Sequence, residues 1–410
     1  MHLHGDVLES VVERVPAPDL AATALVSREW LRAVRAALRR CPRRLPWLVA
    51  HLIQLRGQRR LAAAYDPHSG AWLAVPTAPA RHGATSSHSH VRLVRGASGD
   101  RVCALSLSGL AVAPDALGVD DARVVVLKAP GVWRVDPVFA AVGDRVAPGV
   151  WRVDPVFAAV GDRVVALGGA CRLALAEGDD ASAVEVHERG GWTHCGAMPA
   201  ALRESAAATW LSVAATDQRV YLTDRATGMA SWFDPAKQQW GPTCRLRPDA
   251  AVSTWGLAPG RAGAEKLILF GAKHADSRVV IRSWEVDGDG LCLSHGAAAT
   301  AHDTMPSEMS ERLFSHGDGE EEDDEEETSS SPSIGVCGNA TGGYVYNEAV
   351  PETGAVLYEL RRDGVEGGAV ERWEWVPCAP AVAEAEALGR VILACSSVGL
   401  HELAHARLAH

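Results

Sequence analysis

The pattern of apolar and polar residues changes character once along the chain. Over residues 1–45 apolar side chains recur with a helical period. Val7, Leu8, Val11, Val12 and Val15 fall on one face of a helix expected over Gly5–Val15. Pro16-Ala17-Pro18 breaks that helix, and Asp19 is expected to cap a second one beginning near Leu20. Ser27 is expected to cap a third, carrying Trp30, Leu31, Val34 and Leu38. Its basic end, Arg39-Arg40-Cys41-Pro42-Arg43-Arg44, sets cations at the negative end of the helix dipole before Pro42 and Pro46 stop it.

From about residue 60 the helical period gives way to short apolar runs separated by Gly, Asp and Pro. Arg123–Leu127, Arg163–Leu167, Arg219–Leu222, Lys266–Phe270, Val279–Arg282 and Arg390–Ala394 are examples. Many short strands at such spacing point to an all-β sandwich, barrel or propeller. A recurring unit decides among them. Residues 64–76 read AYDPHSGAWLAVP and residues 231–242 read SWFDPAKQQWGP, while Trp151, Trp192, Trp240 and Trp284 lie 41, 48 and 44 residues apart. A period in the forties matches a four-stranded propeller blade, and large indoles suit the space between blades. Closure is expected from a composite blade, with inner strands from Ala387–Leu403 and outer strands from residues 60–76. Units near 91–137, 139–199, 207–247, 251–300 and 334–379 then make six blades with the composite one, and seven remains the alternative.

Two segments interrupt this order. Residues 129–146 recur identically at 147–164, which is too short for a blade and too perfect for an old repeat, so one copy is expected to be surplus. Residues 315–333 (SHGDGEEEDDEEETSSSPS) hold too little apolar surface to offset their ordering entropy and are expected to form a disordered acidic loop.

Composition narrows the class. The chain has 410 residues, 47% hydrophobic and 22% charged, without the roughly 18 continuous apolar residues of a membrane span. Met1-His2-Leu3-His4-Gly5-Asp6 lacks the features of a signal peptide, so the cytoplasm or nucleus is expected. Nine scattered cysteines without a C-x-x-C pair read as reduced, mostly buried thiols, and the Asn339-Ala340-Thr341 sequon is expected to be unused. Net charge is −11, of which Asp318–Glu327 carries nine acidic residues; residues 1–60, with eleven arginines against five acids, are locally basic. No nucleic-acid motif accompanies that basic stretch, so no nucleic-acid partner is expected.

Residues 3–30 resemble the F-box family through Leu3, Asp6–Leu8, Val12, Arg14-Val15-Pro16, Asp19-Leu20 and Leu25-Val26-Ser27-Arg28-Glu29-Trp30, although the family's Leu-Pro opening reads Leu3-His4 here. The rest resembles the kelch propeller of plant F-box/kelch-repeat proteins, with Gly168-Gly169 a clear kelch doublet and Gly342-Gly343 a weaker one. The resemblance implies an F-box at 1–45 and a kelch propeller at 46–410. It implies the substrate-recognition subunit of an SCF ubiquitin ligase, docked on a Skp adaptor and through it on a cullin, with the propeller holding a protein target for degradation. Some relatives direct turnover of phenylpropanoid and flavonoid enzymes, which makes such an enzyme one candidate target. A three-helix unit of about 40 residues cannot bury all its apolar groups. Leu8, Val12, Val15, Pro16, Leu20, Val26 and Trp30, with Ser27, are therefore the residues expected to meet the adaptor. One alternative is that they pack on the propeller as an N-terminal helical cap; another is a propeller scaffold that no longer engages the ligase, its F-box degenerate at His4.

No catalytic residue is assigned. A kelch-fold copper oxidase would need Tyr and His ligands, and Tyr65, Tyr221, Tyr344, Tyr346 and Tyr358 show no such pattern. His82, His88 and His90 lie in a Ser/Gly-rich stretch without an evident third ligand, and neither metal nor cofactor is expected. Lysine is scarce: Lys128, Lys237, Lys266 and Lys273 stand against 36 arginines.

Overall fold

The computed structural model describes residues 5–40, 45–54, 60–75, 90–106, 109–113, 115–117, 124–128, 155–169, 182–203, 205, 207–261, 265–275, 278–293, 303–315, 332–361, 369–380, 389–404 and 407–408. Three helices come first: α1 (Gly5–Val12), α2 (Ala17–Val26) and α3 (Arg28–Arg40). Strands dominate from Trp47 onward, and the fold is a β-propeller built from antiparallel meanders.

Six four-stranded meanders can be traced. Meander one joins Gly389–Ser396 to Trp47–Gln54, Arg60–Asp66 and Ala71–Val75; meander two runs His90–Gly96, Arg101–Ser106, Gly109–Val112 and Val125–Lys128. Meander three is Val156–Val160, Arg163–Leu167, Ala183–Glu188 and Gly191–Ala197; meander four is Leu211–Ala215, Val220–Asp224, Met229–Asp234 and Gln239–Trp240. Meander five is Thr254–Pro259, Lys266–Ala275, Arg278–Asp287 and Cys292–Leu293; meander six is Ile334–Asn339, Gly342–Asn347, Ala355–Leu360 and Val370–Val376. Meanders two and three share one eight-stranded sheet, because their first strands pair in parallel through Val94–Phe157, Arg95–Ala158 and Gly96–Ala159. Side chains no larger than methyl at Gly96, Ala158 and Ala159 let those backbones approach.

The first strand of each meander lies toward the axis, and strands there are buried on both faces. All six residues of Thr254–Pro259 are buried, which is why inner strands read as unbroken apolar runs. Outer strands such as Gly191–Ala197 are largely exposed. Six apolar cores fill the seams between neighbouring meanders and carry the packing around the ring. Trp192, Trp240 and Trp284 each belong to one of these seams, as their spacing predicts; Trp151 lies outside the described residues.

The ring closes at meander one, but with a different share of strands from the one expected. Only one inner strand comes from the C-terminal end, paired over its whole length from Trp47–Ser396 to Gln54–Gly389. The second strand, Trp47–Gln54, comes from the N-terminal side and does not stand out in the sequence, because its apolar run follows directly on the arginine-rich end of the helices. The seam with meander six is tied by Tyr344 Oη donating to the Pro46 carbonyl (2.6 Å) and Trp72 Nε1 donating to the Pro377 carbonyl (3.0 Å).

Two sequence equivalences need correction. The stretch at 64–76 spans the turn between strands two and three of meander one, whereas 231–242 spans the turn between strands three and four of meander four. The true counterpart of Asp66–Gly70 is Asp224–Gly228. In both, the Asp side chain accepts backbone N–H groups two or three residues on, its carbonyl accepts the Gly N–H, and that Gly has positive φ. The glycine doublets differ too. Gly168-Gly169 follows strand two of meander three with φ of 62° and 84°, while Gly342-Gly343 opens strand two of meander six without positive φ.

The duplicated segment is settled in part. Residues 155–164 of the second copy form the first strand of meander three and the start of its second, joined at the two-residue turn Gly161-Asp162, where Gly161 has φ 60°. The first copy, and the acidic stretch 316–331, lie outside the described residues.

Candidate interaction sites at the two ends of the ring

The helices make a small core of their own from Leu8, Val12, Leu20, Ala33, Val34 and Ala37, with Val15, Ala24, Trp30 and Leu38 at its margin. Ser27 Oγ accepts the N–H groups of Glu29 (3.2 Å) and Trp30 (3.3 Å), capping α3 as its position predicts. Asp19 is not a cap. It sits in the first turn of α2 behind Pro16, where its charge still meets the positive end of the dipole.

Of the eight residues expected to meet an adaptor, Leu8, Val12 and Leu20 are buried and Val15 and Trp30 half-buried; only Pro16, Val26 and Ser27 are exposed. Leu8, Val12 and Leu20 therefore do not form a bare patch; they are the unit's own core. Helical geometry gives the reason: neighbouring residues point about 100° apart, so Leu8 and Val12 face inward while Val7 and Val11 turn outward. The exposed apolar residues are instead Val7 (49%), Val11 (42%), Leu25 (83%) and Val26 (66%). Sequence reasoning passed over Leu25 as an adaptor contact, and its placement at the end of α2, next to exposed Val26, was the available signal.

The helical unit is also anchored to the ring. Ala17 and Ala21 of α2 enter the core between meanders one and two, beside Trp47, Val49, Leu117 and Leu403. The short helix Leu400–Leu403 is held there by Glu402, whose carboxylate accepts the N–H groups of Leu117 (3.2 Å) and Gly399 (2.7 Å). Burial raises the Glu402 pKa above the usual carboxylate range. The expected boundary at residues 45 and 46 thus separates two elements that share packing.

A cavity of about 170 Å³ occupies the axis at the other end. The helices sit where the inner strand of meander one finishes, near Ser396; the cavity takes Arg390–Leu393, where that strand begins. The two sites thus lie toward opposite ends of that strand. Four arginines line the cavity: Arg92, Arg95, Arg225 and Arg390. Arg95 is held by Asp100 at 2.6 Å, and Asp100 in turn accepts the Cys395 N–H at 3.1 Å. Burial alone would lower the Arg95 pKa, but the adjacent Asp100 outweighs it and the guanidinium stays charged. Arg225 reaches from meander four to meander six, where it donates to the Ile334 carbonyl (2.7 Å) and forks onto Glu348 (2.6 and 3.2 Å). Tyr346 also lines the wall, and burial keeps its hydroxyl protonated well above the ordinary tyrosine range. Sequence reasoning missed this site, since its arginines are scattered over 299 positions from Arg92 to Arg390.

The five tyrosines named in the sequence are all buried, and Tyr221 donates to Glu265 at 2.6 Å. His82, His88 and the side chain of His90 lie outside the described residues, among which no group of three His, Cys, Asp or Glu could hold a metal ion. No helix among them is long and apolar enough to cross a membrane.

No family model matches the chain. Among solved structures, Hsv2 of Kluyveromyces lactis covers 77% of this chain and 83% of its own at 8% identity and a TM-score of 0.33. The WD40 domain of Toxoplasma gondii coronin covers 70% and 74% at 9% identity and a TM-score of 0.29. Scores so low leave the fold assignment to the strand topology and to sequence kinship. That kinship is with an F-box/kelch-repeat protein of Arabidopsis thaliana, 30% identical over 98% of this chain and 91% of that one. With helices and meanders arranged as described, the chain belongs to the F-box/kelch-repeat family.

Proposed function

We propose that this protein is the substrate-recognition subunit of an SCF-type ubiquitin ligase in the cytoplasm or nucleus. In this reading the helical unit docks on a Skp adaptor and through it a cullin, and the propeller holds a protein target. The subunit itself is non-catalytic: it raises the effective concentration of the target near the conjugating enzyme. The observation that carries the reading is the exposed apolar set Val7, Val11, Leu25 and Val26 on a unit whose core is already complete. These four stay exposed on the described chain, and uncovered apolar surface marks a partner's place.

The docking surface is therefore read as those four residues with Pro16, Ser27 and the outer edge of Trp30. Leu8, Val12 and Leu20 support it from beneath. Co-purification with a Skp adaptor tests this. Leu25→Asp and Val26→Asp should abolish capture while leaving the thermal transition of the chain in place. Undiminished capture by both variants, or none by the wild type, sinks the reading.

A further inference from the structure

The scarcity of lysine has a spatial side. All four lysines of the 410-residue chain fall among the described residues, and two of them are tied into the ring. Lys273 holds Asp249 at 2.8 Å, with 16% of its side chain exposed. Lys266 lies between Glu285 (3.6 Å) and Asp287 (3.5 Å), with 26% exposed. Lys237 differs: 68% of its side chain is exposed, on the turn between strands three and four of meander four. We propose that Lys237 is the amine through which this chain is itself modified, accepting ubiquitin from the thioester on the conjugating enzyme. This rests on the receptor reading above and names a regulation of it, turnover of the receptor by its own ligase.

The chemistry requires reach. The lysine ammonium first gives one proton to water, and the free amine then attacks the thioester carbonyl at the ubiquitin C-terminus. The C–N bond forms, the C–S bond breaks, and the surplus proton on nitrogen passes to the departing thiolate. The acyl donor is a protein tail held by a second protein, so only a side chain standing clear of its own surface meets it. Lys266 and Lys273 would first have to leave their carboxylates and a partly covered site. Lys237 gives up only its contact with Asp234 (3.1 Å), and a pair whose lysine is so exposed holds it weakly.

The turn presents that side chain on a firm base. Asp234 accepts the N–H groups of Ala236 (2.9 Å) and Lys237 (3.0 Å), and Gln238 takes φ 55°. Trp240 then returns to the seam beside Phe233, with 5.2 Å between ring centres. Placement agrees. Leu211 opens the inner strand of meander four and lines the axial cavity, so that strand starts at the cavity end. Strand three runs the same way, and the turn after it lies at the helical end, where the receptor reading attaches the adaptor. Lys128, the fourth lysine, ends the outer strand of meander two opposite Gly109, at the cavity end.

Two measurements on the full chain test the inference. Acetylation by an N-hydroxysuccinimide ester needs no ligase, and Lys237 should react about tenfold faster than Lys266 and Lys273. Reaction no faster than theirs overturns the proposal. In the second, the chain is incubated with adaptor, cullin ligase, activating and conjugating enzymes, ubiquitin and ATP but no target. The Gly-Gly remnant that trypsin leaves should then map chiefly to Lys237. Lys237→Arg should cut self-modification about fivefold or more while keeping adaptor capture and the thermal transition, and Lys128→Arg should leave it unchanged. A remnant chiefly on another lysine, undiminished modification of Lys237→Arg, or no modification of a chain that captures the adaptor overturns the proposal and leaves the receptor reading standing. Failure of the wild-type chain to capture the adaptor removes that reading, and this proposal with it.

Discussion

The helical unit and the ring treat their apolar residues differently. In the ring, aromatic and branched side chains meet partners from the next meander: Trp255 lies 5.7 Å from Trp284, and Phe270 lies 4.9 Å from Tyr358. The helical unit contributes four of the eight large apolar residues exposed among those described, from about an eighth of the described residues. A closed ring matches each face with a neighbour. A three-helix unit has too much surface for its volume, so it shares Ala17 and Ala21 with the ring and still leaves Val7, Val11, Leu25 and Val26 uncovered. Stability is thus concentrated in the ring, and unfinished surface in the helices.

The largest effect expected from this contrast is on closure. Removing Gly389–His410 takes away the inner strand of meander one, exposes the ladder of Trp47–Gln54, and opens the cores on both sides. The shortened chain should lose its cooperative thermal transition and accumulate insoluble. A truncated protein that melts as sharply as the full chain would show that the ring does not depend on this strand. Next in size is Trp255→Ala, which empties a fully buried site between meanders four and five and should cost about 3–5 kcal/mol in denaturant unfolding. Leu20→Ala, buried within the helical core, should cost about 2–5 kcal/mol there. Hydrogen exchange separates the two cases. The first should deprotect the strands of meanders four and five, the second only α1–α3. Coincident loss of protection in both regions would merge them into one cooperative unit. Smaller still, Leu25→Asp should change stability by no more than about 0.5 kcal/mol, since it removes no packed contact.

How much of this was legible in the sequence follows from what each feature depends on. The strands showed as short apolar runs between turns, three of the six on second strands of their meanders; Arg163–Leu167 appears as expected to the residue. The seam tryptophans showed through their spacing, although Trp192 and Trp240 stand on fourth strands and Trp284 on a third. What failed was assignment of position within a repeat. Asp-Pro at residues 66–67 and 234–235 looks the same, yet it turns different strand pairs, because an Asp whose carboxylate accepts donors two and three residues on serves either corner. At the helical site, i and i+4 spacing located the apolar residues but could not tell which of two adjacent pairs on α1 faces inward, a matter decided by where α3 packs. The axial cavity was invisible, because Arg92, Arg95, Arg225 and Arg390 meet only when meanders one, two and four converge on the axis with six.

The smallest effect, and the one that most sharpens the contrast, is in pH. Asp249 between meanders four and five is held below the usual carboxylate range by Lys273 at 2.8 Å, with Arg282 adding to it at 3.2 Å. Its folded pKa is depressed, so its contribution is present above the unfolded value of about 4 and is lost as pH falls through and below that value. Glu402, at the junction of ring and helices, is raised by burial. Its folded form holds the proton longer, so its contribution is present below the unfolded value and is lost as pH rises through the raised one. Lowering pH from neutrality should therefore firm the junction before it weakens the ring, whose Asp249 pairing is lost only below about pH 4. Exchange at the Leu117 and Gly399 amides, which both donate to Glu402, reads the first change once intrinsic rates are corrected. Glu402→Gln keeps one acceptor oxygen and should flatten that response. Asp249→Asn should instead lower stability at neutral pH and remove part of the acid slope. If the junction amides lose protection as pH falls from neutrality, the charge at Glu402 is being stabilised rather than endured, and the join between helices and ring is electrostatic where the packing says it is apolar.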